Sequence, residues 1–240
     1  MDLNLAVGLI LLLPLFGALV NGLGGLFFPA LRNERLVGAL GTAVVAVPFL
    51  IALYLFAGHH GEAEIATFYT WMGTGDLGVD FAYRIDGLSL VMTLIVTGVG
   101  ALIHLYSVGY MHGDGGFWRF FAYLNLFIFA MLNLVLADNL VVLFLGWEGV
   151  GLCSYLLIGF WYTDLKNSEA ANKAFIVNRI GDFAFLLGMF LLFRELGGLD
   201  FGTVLADPGA ISTPIANWVV LLLFIGATGK SAQIPLFVWL

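Results

Sequence analysis

The chain is 240 residues long, 61% hydrophobic and only 10% charged, with a mean hydropathy of +1.02. Soluble domains carry about 25% charged and ~45–50% apolar residues, so a water-soluble enzyme is excluded, and so is a disordered chain, which lacks apolar side chains. The net charge of −7 comes from 9 Lys+Arg against 16 Asp+Glu; the basic residues form no cluster, so no nucleic-acid surface is expected.

A helix rises ~1.5 Å per residue, so ~20 apolar residues cross a ~30 Å hydrocarbon core. Seven such segments follow one another. The first runs from about Leu3 to Phe28. It has Asp2 in place of a basic leader and too long an apolar run for a signal peptide, so it is expected to stay in the membrane. The second covers about Leu36 to Ala57. Residues 58–84 then read as an external β-hairpin, with strands near Ile65–Trp71 and Val79–Tyr83 and a turn over Met72–Leu77. Gly73, Gly75 and Gly78 match G-x-G-x-x-G. That motif binds a dinucleotide only where it opens a helix after a strand in a βαβ unit, so here they are turn glycines. The third segment starts after Asp86 and reaches about Tyr110, and the fourth covers Phe120 to Ala137. The fifth runs from Asn139 to about Trp161, the sixth from Lys173 to Phe193, and the seventh from near Pro214 to Leu240. Asp86, Asn139 and Ser168 stand where helix N-caps are expected. The fold class is therefore all-α: a polytopic transmembrane bundle of about seven helices with one short hairpin between the second and third.

Orientation follows the basic residues. Arg32, Arg35, Arg119, Lys166 and Lys173 lie between odd and following even segments, against Arg84 and Arg194 on the other side, which holds Glu62, Glu64, Asp76, Asp80, Asp138, Asp200 and Asp207. The odd-to-even connections are expected in the cytoplasm and the N-terminus outside.

The informative residues are ionisable groups at membrane depth. Glu148 lies near the centre of the fifth segment, Asp182 near the centre of the sixth with Arg179 one turn before it, and Lys230 near the centre of the seventh. Each costs about 2.5–3.5 kcal/mol at a helix centre, so together they cost on the order of 10 kcal/mol before pairing, comparable with the ~5–15 kcal/mol that stabilises a folded domain. Their charges cancel. Arg179 and Asp182, at i and i+3, can form a purely local bridge. Glu148 and Lys230 have no same-helix partner and are expected to meet each other in a polar interior, on an ion pathway. Pro235 lacks an N–H and its ring crowds the Ser231 carbonyl, so the helix should loosen just after Lys230, with Ser231 and Gln233 supplying hydrogen-bonding groups around the ammonium. The chemistry this permits is proton transfer: a lysine in a low-dielectric site depends on a nearby anion to keep its charge.

His104, toward the cytoplasmic end of the third segment, is either an interfacial histidine with a local partner or a member of a proton path. His59 and His60 fall in the external loop, which leaves no pair of histidines within helices for haem. Cys153 is the only cysteine and lies in an apolar run, so no disulfide framework, thiolate metal site or iron–sulfur cluster is expected in this chain.

Four blocks carry a resemblance. They are Tyr83–Ser89 (YRIDGLS), Leu136–Tyr155 (LADNLVVLFLGWEGVGLCSY), Lys173–Phe183 (KAFIVNRIGDF) and Gly226–Leu240 (GATGKSAQIPLFVWL). Together the chain resembles the antiporter-like subunits of NADH-quinone oxidoreductase (respiratory complex I), subunit L in particular, over that family's N-terminal part. The resemblance implies a proton-translocating membrane subunit coupled to quinone reduction elsewhere in the complex. Glu148 falls on the family's glutamate, Lys230 on its lysine, and Arg179 and Asp182 on its charged pair. It further implies that FMN, iron–sulfur clusters and quinone belong to partner subunits, with no cofactor or metal in this chain. The implied surroundings are the lipid bilayer and the other membrane subunits, in a bacterial inner membrane. By the same resemblance, residues 1–113 are N-terminal helices with the hairpin, and 114–240 an incomplete first antiporter-like repeat. A multisubunit Na⁺/H⁺ antiporter subunit shares the Glu and Lys positions and is the competing reading; a membrane scaffold or inactive fragment is the third.

Overall fold

The computed structural model describes residues 1–75, 77–207 and 209–240. Among the described residues, seven helices are long and apolar enough to cross a membrane. The spans are α1 (Leu3–Phe27), α2 (Glu34–Gly58), α3 (Gly87–Tyr110), α4 (Phe117–Leu136), α5 (Leu140–Ile158), α6 (Leu165–Leu196) and α8 (Thr213–Lys230). A short helix, α7 (Phe201–Ala206), precedes the last. Strands β1 (Glu64–Thr74) and β2 (Leu77–Ile85) form an antiparallel hairpin between α2 and α3. The chain is an integral membrane bundle.

The helix starts are built by polar side chains that satisfy free backbone N–H groups. Asp2 accepts from Leu5, Asn33 from Arg35 and Leu36, and Asn139 from Val142. Asp86 accepts from the N–H of Ser89 while the Ser89 hydroxyl accepts from that of Asp86, a reciprocal capping box. Ser168 is not a cap. The sixth span starts earlier, at Leu165, capped by Asp164, and the Ser168 hydroxyl donates to Tyr162 O. That span has 32 residues, about 48 Å at ~1.5 Å per residue, so its polar first turns extend beyond the hydrocarbon. It stops at Gly197, whose φ of 71° is the left-handed conformation that ends helices.

The hairpin strands are longer than their alternating cores, because pairing continues from Glu64↔Ile85 to Thr74↔Leu77, with register shifts near Thr67 and Met72. Gly75 turns the chain with a φ of 58°; Asp76, expected in the same turn, lies outside the described residues. The hairpin is rooted in the bundle. Tyr83 OH donates to Asn133 Oδ1 of α4 at 2.7 Å. The 137–139 connection is laced between β2 and residues 199–201: Asp138 N–H donates to Ala82 O, Leu140 N–H to Leu199 O and Phe201 N–H to Asp138 O. Arg84 reaches Asp86 at 3.1 Å and Asp138 at 3.5 Å. This lattice sets where α5, which carries Glu148, enters the membrane.

Large apolar side chains such as Leu12, Leu102, Phe183 and Phe224 point outward, as expected where the solvent is lipid. Helix contacts are made through small residues. A Cβ on Gly146 of α5 would stand 2.5 Å from Leu134 N and 2.8 Å from Ala130 O of α4. A Cβ on Gly181 of α6 would stand 3.3 Å from Gly226 O of α8. These approaches seat α5 on α4 and α6 on α8.

The last span differs from its expected extent. It ends at Lys230 and does not run on to Leu240. Pro235 has no N–H to continue the ladder and its predecessor is steered away from helical geometry. Ala232 adopts a φ of 50°, and the chain folds back so that Trp239 Nε1–H donates to Gly229 O at 3.0 Å.

Candidate functional site

Three spans contribute the charged residues, and the pairing differs from the expected one. Glu148 on α5 pairs with Arg179 on α6, not with Lys230. Arg179 Nη1 also stands 3.5 Å from Asp182 Oδ2. Lys230 Nζ lies 3.4 Å from Asp182 Oδ1 and 3.5 Å from Oδ2. The result is one line of alternating charge: Glu148, Arg179, Asp182, Lys230. The reason is geometric. Arg179 and Asp182 share a face of α6 at i, i+3, and the longer guanidinium reaches across to α5 while the carboxylate faces the end of α8.

The line is most deeply buried at Asp182. Side-chain exposure is 4% for Asp182, 20% for Lys230, 25% for Glu148 and 35% for Arg179. Trp147 Nε1–H donates to Asp182 Oδ1 at 2.5 Å, and the Lys230 ammonium lies 5.6 Å from the Trp147 ring centroid. Arg179 lies over the Phe175 ring at 4.4 Å. Gly151 makes room for both cations, since a Cβ there would stand 2.9 Å from Lys230 Nζ and 3.8 Å from Arg179 Nη2.

Lys230 is the last residue of α8, where free helix carbonyls favour a cation. Ser231 and Gln233, expected around the ammonium, are exposed and serve the helix end instead. Ser231 Oγ donates to Ala227 O at 2.7 Å, and the Gln233 backbone N–H donates to Thr228 O at 2.9 Å. Because the helix stops and the chain turns, their side chains leave the axis along which Lys230 points. The ammonium opens instead on a cavity of about 380 Å³ also lined by Gly151, Ser154, Tyr155 and Asn178. Asn178 Oδ1 is buried without a partner among the described residues, an acceptor suited to a water.

His104 is 1% exposed, inside α1–α4, and has a local partner. Its Nδ1 lies 2.7 Å from Gly100 O. A carbonyl only accepts, so the proton is on Nδ1, and Nε2 accepts from Asn125 Nδ2 at 3.1 Å. Asn125 also donates to Gly41 O at 2.9 Å and accepts from Asn21 at 3.3 Å. Asn21 sits in a π-helical stretch of α1, Val20–Gly24. Phe127 and Met131 of α4 line both a cavity at His104 and the one at Lys230. Neither amide was singled out from the sequence; a lone Asn in a Phe-rich apolar run was the available sign. Trp147 was visible only as the neighbour of Glu148.

Residues 137–240 match the family model described as "NADH:quinone oxidoreductase/Mrp antiporter, TM". Residues 71–121 match "NADH-Ubiquinone oxidoreductase (complex I), chain 5 N-terminus". The chain is 50% identical, over 85% of its length, to NADH-quinone oxidoreductase subunit L of Escherichia coli (strain K12), covering 33% of that protein. It is 45% identical over 97% of its length to the subunit L of Mycobacterium tuberculosis (strain CDC 1551 / Oshkosh), covering 37% of it. It is 42% identical over 97% of its length to NAD(P)H-quinone oxidoreductase chain 5 of Synechocystis sp., covering 35% of it. The chain thus spans about a third of the length of these relatives. A solved structure of the Mrp complex from Dietzia sp. DQ12-45-1b superposes with a TM-score of 0.81 at 29% identity, covering 100% of this chain and 25% of that one. The chain belongs to the antiporter-like family of NADH-quinone oxidoreductase and Mrp membrane subunits.

Proposed function

We propose that this chain carries protons across a bacterial inner membrane as part of NADH-quinone oxidoreductase, with its N-terminus outside. The observation that carries the reading is the unbroken line Glu148–Arg179–Asp182–Lys230 drawn from three apolar spans. A proton arriving at Glu148 would neutralise it and release Arg179. The guanidinium would then turn fully to Asp182, and Lys230 would lose its anion. An ammonium without an anion in a low-dielectric site gives up its proton, here into the cavity lined by Ser154, Tyr155 and Asn178. Moving one charge against 100 mV takes about 2.3 kcal/mol, equivalent to roughly 1.7 pKa units, within reach of removing one such partner.

Residues 114–240 form the ion-carrying part in this reading, and 1–113 its scaffold. Oxidation of NADH, and with it FMN, the iron–sulfur clusters and quinone, would reside in partner subunits; the other membrane subunits, lipid and protons are this chain's own partners. His104 stands apart from the charged line, behind α4, and serves the scaffold. The Mrp likeness favours a second reading, a cation/proton antiporter subunit without a redox partner. The identities of 42–50% to quinone oxidoreductase subunits favour the first.

The test uses inverted membranes carrying the full-length protein in its complex. Proton uptake driven by NADH, and lowered several-fold per NADH oxidised in Lys230→Ala, is the expected result. Uptake driven by a Na⁺ gradient and indifferent to NADH would favour the antiporter. Unchanged uptake in both Glu148→Gln and Lys230→Ala would leave a scaffold.

A further inference from the structure

Trp147 touches two members of the charged line and carries no charge itself. Its indole N–H makes the shortest hydrogen bond to Asp182, 2.5 Å to Oδ1. The cations stand farther from the same carboxylate: Lys230 at 3.4 and 3.5 Å, and Arg179 at 3.5 Å. Close charge-assisted pairs lie at about 2.7–2.9 Å, so the carboxylate is held firmly by a neutral donor and loosely by its two counter-ions.

The indole is fixed from behind. It stacks on Phe185 at 5.0 Å and 30°, and Phe185 stacks on Phe144 at 5.7 Å and 20°. Lys230 lies 5.6 Å from the indole centroid, within reach of the attraction between a cation and an aromatic face. One side chain thus holds the anion through its edge and offers the lysine a second resting place.

We infer that Trp147 is a positioning residue of the proton line: it holds Asp182 short of a tight pair with Lys230, so that the ammonium can change partner. The inference rests on the proton-carrying reading above. Indole is suited to the task because it is a donor only and cannot itself take up the proton. The groups facing Asp182 are Trp147 from α5, Arg179 from its own helix and Lys230 from α8, with Glu148 one link away through Arg179. Without the indole N–H, the carboxylate is free to close on Lys230.

The test incorporates benzothienylalanine at position 147 of the full-length protein in its complex. This isostere keeps the ring and its stacking and replaces N–H by sulfur; Trp147→Phe is the coarser companion. Proton uptake per NADH oxidised is measured against pH in inverted membranes, beside Glu148→Gln and Lys230→Ala. The expected result is normal assembly, a loss of roughly tenfold in uptake, about the size of one hydrogen bond to a charged group, and a pH profile that departs from that of the wild type. A wild-type pH profile in the isostere, with Glu148→Gln and Lys230→Ala still impaired, would overturn the role of Trp147 alone. Wild-type uptake in all of them would overturn the reading beneath it.

Discussion

The ammonium of Lys230 leans on Asp182, at 3.4 Å, and not on Glu148, whose carboxylate is taken up by Arg179. The lysine and the glutamate therefore communicate only through two intervening charges on one helix. Removing Asp182 should be more damaging to Lys230 than removing Glu148. Breaking a buried pair by deleting one partner costs about 3–5 kcal/mol, so Asp182→Asn is expected to lower the thermal stability of the detergent-solubilised protein by several degrees. Replacing Lys230 with Met in the same background should recover part of it, by deleting the stranded cation.

Gly151 and Gly146 share α5 but answer to different neighbours. A Cβ on Gly151 meets the flexible tip of Lys230 at 2.9 Å, whereas one on Gly146 meets the backbone of α4 at 2.5 Å. Gly151→Ala is expected to assemble normally and lose proton uptake, because only the ammonium moves. Gly146→Ala is expected to reduce the amount of assembled protein on a native gel, because two helices must separate.

The amide cluster inside α1–α4 should matter for stability. Asn125→Ala strands His104 Nε2, Asn21 and Gly41 O together. A buried group left unpaired costs about 1–3 kcal/mol, so a clear drop in melting temperature is expected. Proton uptake by the protein that still assembles should stay within about twofold of wild type, since less than ~0.5 kcal/mol is then at stake.

Outside the membrane, two carboxylates respond to pH in opposite senses. Burial works against the Asp86 carboxylate, but the Ser89 N–H and hydroxyl and the Arg84 guanidinium hold it below its ordinary value. Its contribution is present above the ordinary carboxylate range and is lost as pH falls through the depressed value. Burial, aided by Asp200, pushes Asp138 up against the opposing pull of Arg84. Its contribution is fullest in acid and is lost as pH rises through the raised value. At pH 7, Asp86→Ala should therefore destabilise by about 1 kcal/mol, the worth of a helix cap, while Asp138→Asn should leave the melting temperature equal or higher. Melts of both variants at pH 7 and pH 4 check the signs.

The spans and the identities of the charged residues were legible in the sequence, and their pairing was not. Length and hydropathy place seven crossings, the first five to within a few residues, because a helix must satisfy its own backbone across lipid. Periodicity gives the face of Arg179 on its own helix but not which neighbouring helix it meets. That depended on the small-residue contacts at Gly146, which seats α5 on α4, and at Gly181, which sets how closely α8 approaches α6. The end of α8 at Lys230 was only partly visible: Pro235 signalled a break, and the turn through Ala232 that carries Ser231 and Gln233 away left no hydrophobic pattern. Asn21 and Asn125 escaped notice because a single amide in an apolar run names no partner.

The central claim is that Glu148 and Lys230, although apart, act as the two ends of one charged line. A double-mutant cycle on NADH-driven proton uptake tests it most directly, with Glu148→Gln, Lys230→Ala and the pair measured in the same membranes. The account predicts that the double variant loses no more than the worse single one, because either change already opens the line. Losses that multiply, as for two independent sites, would contradict it.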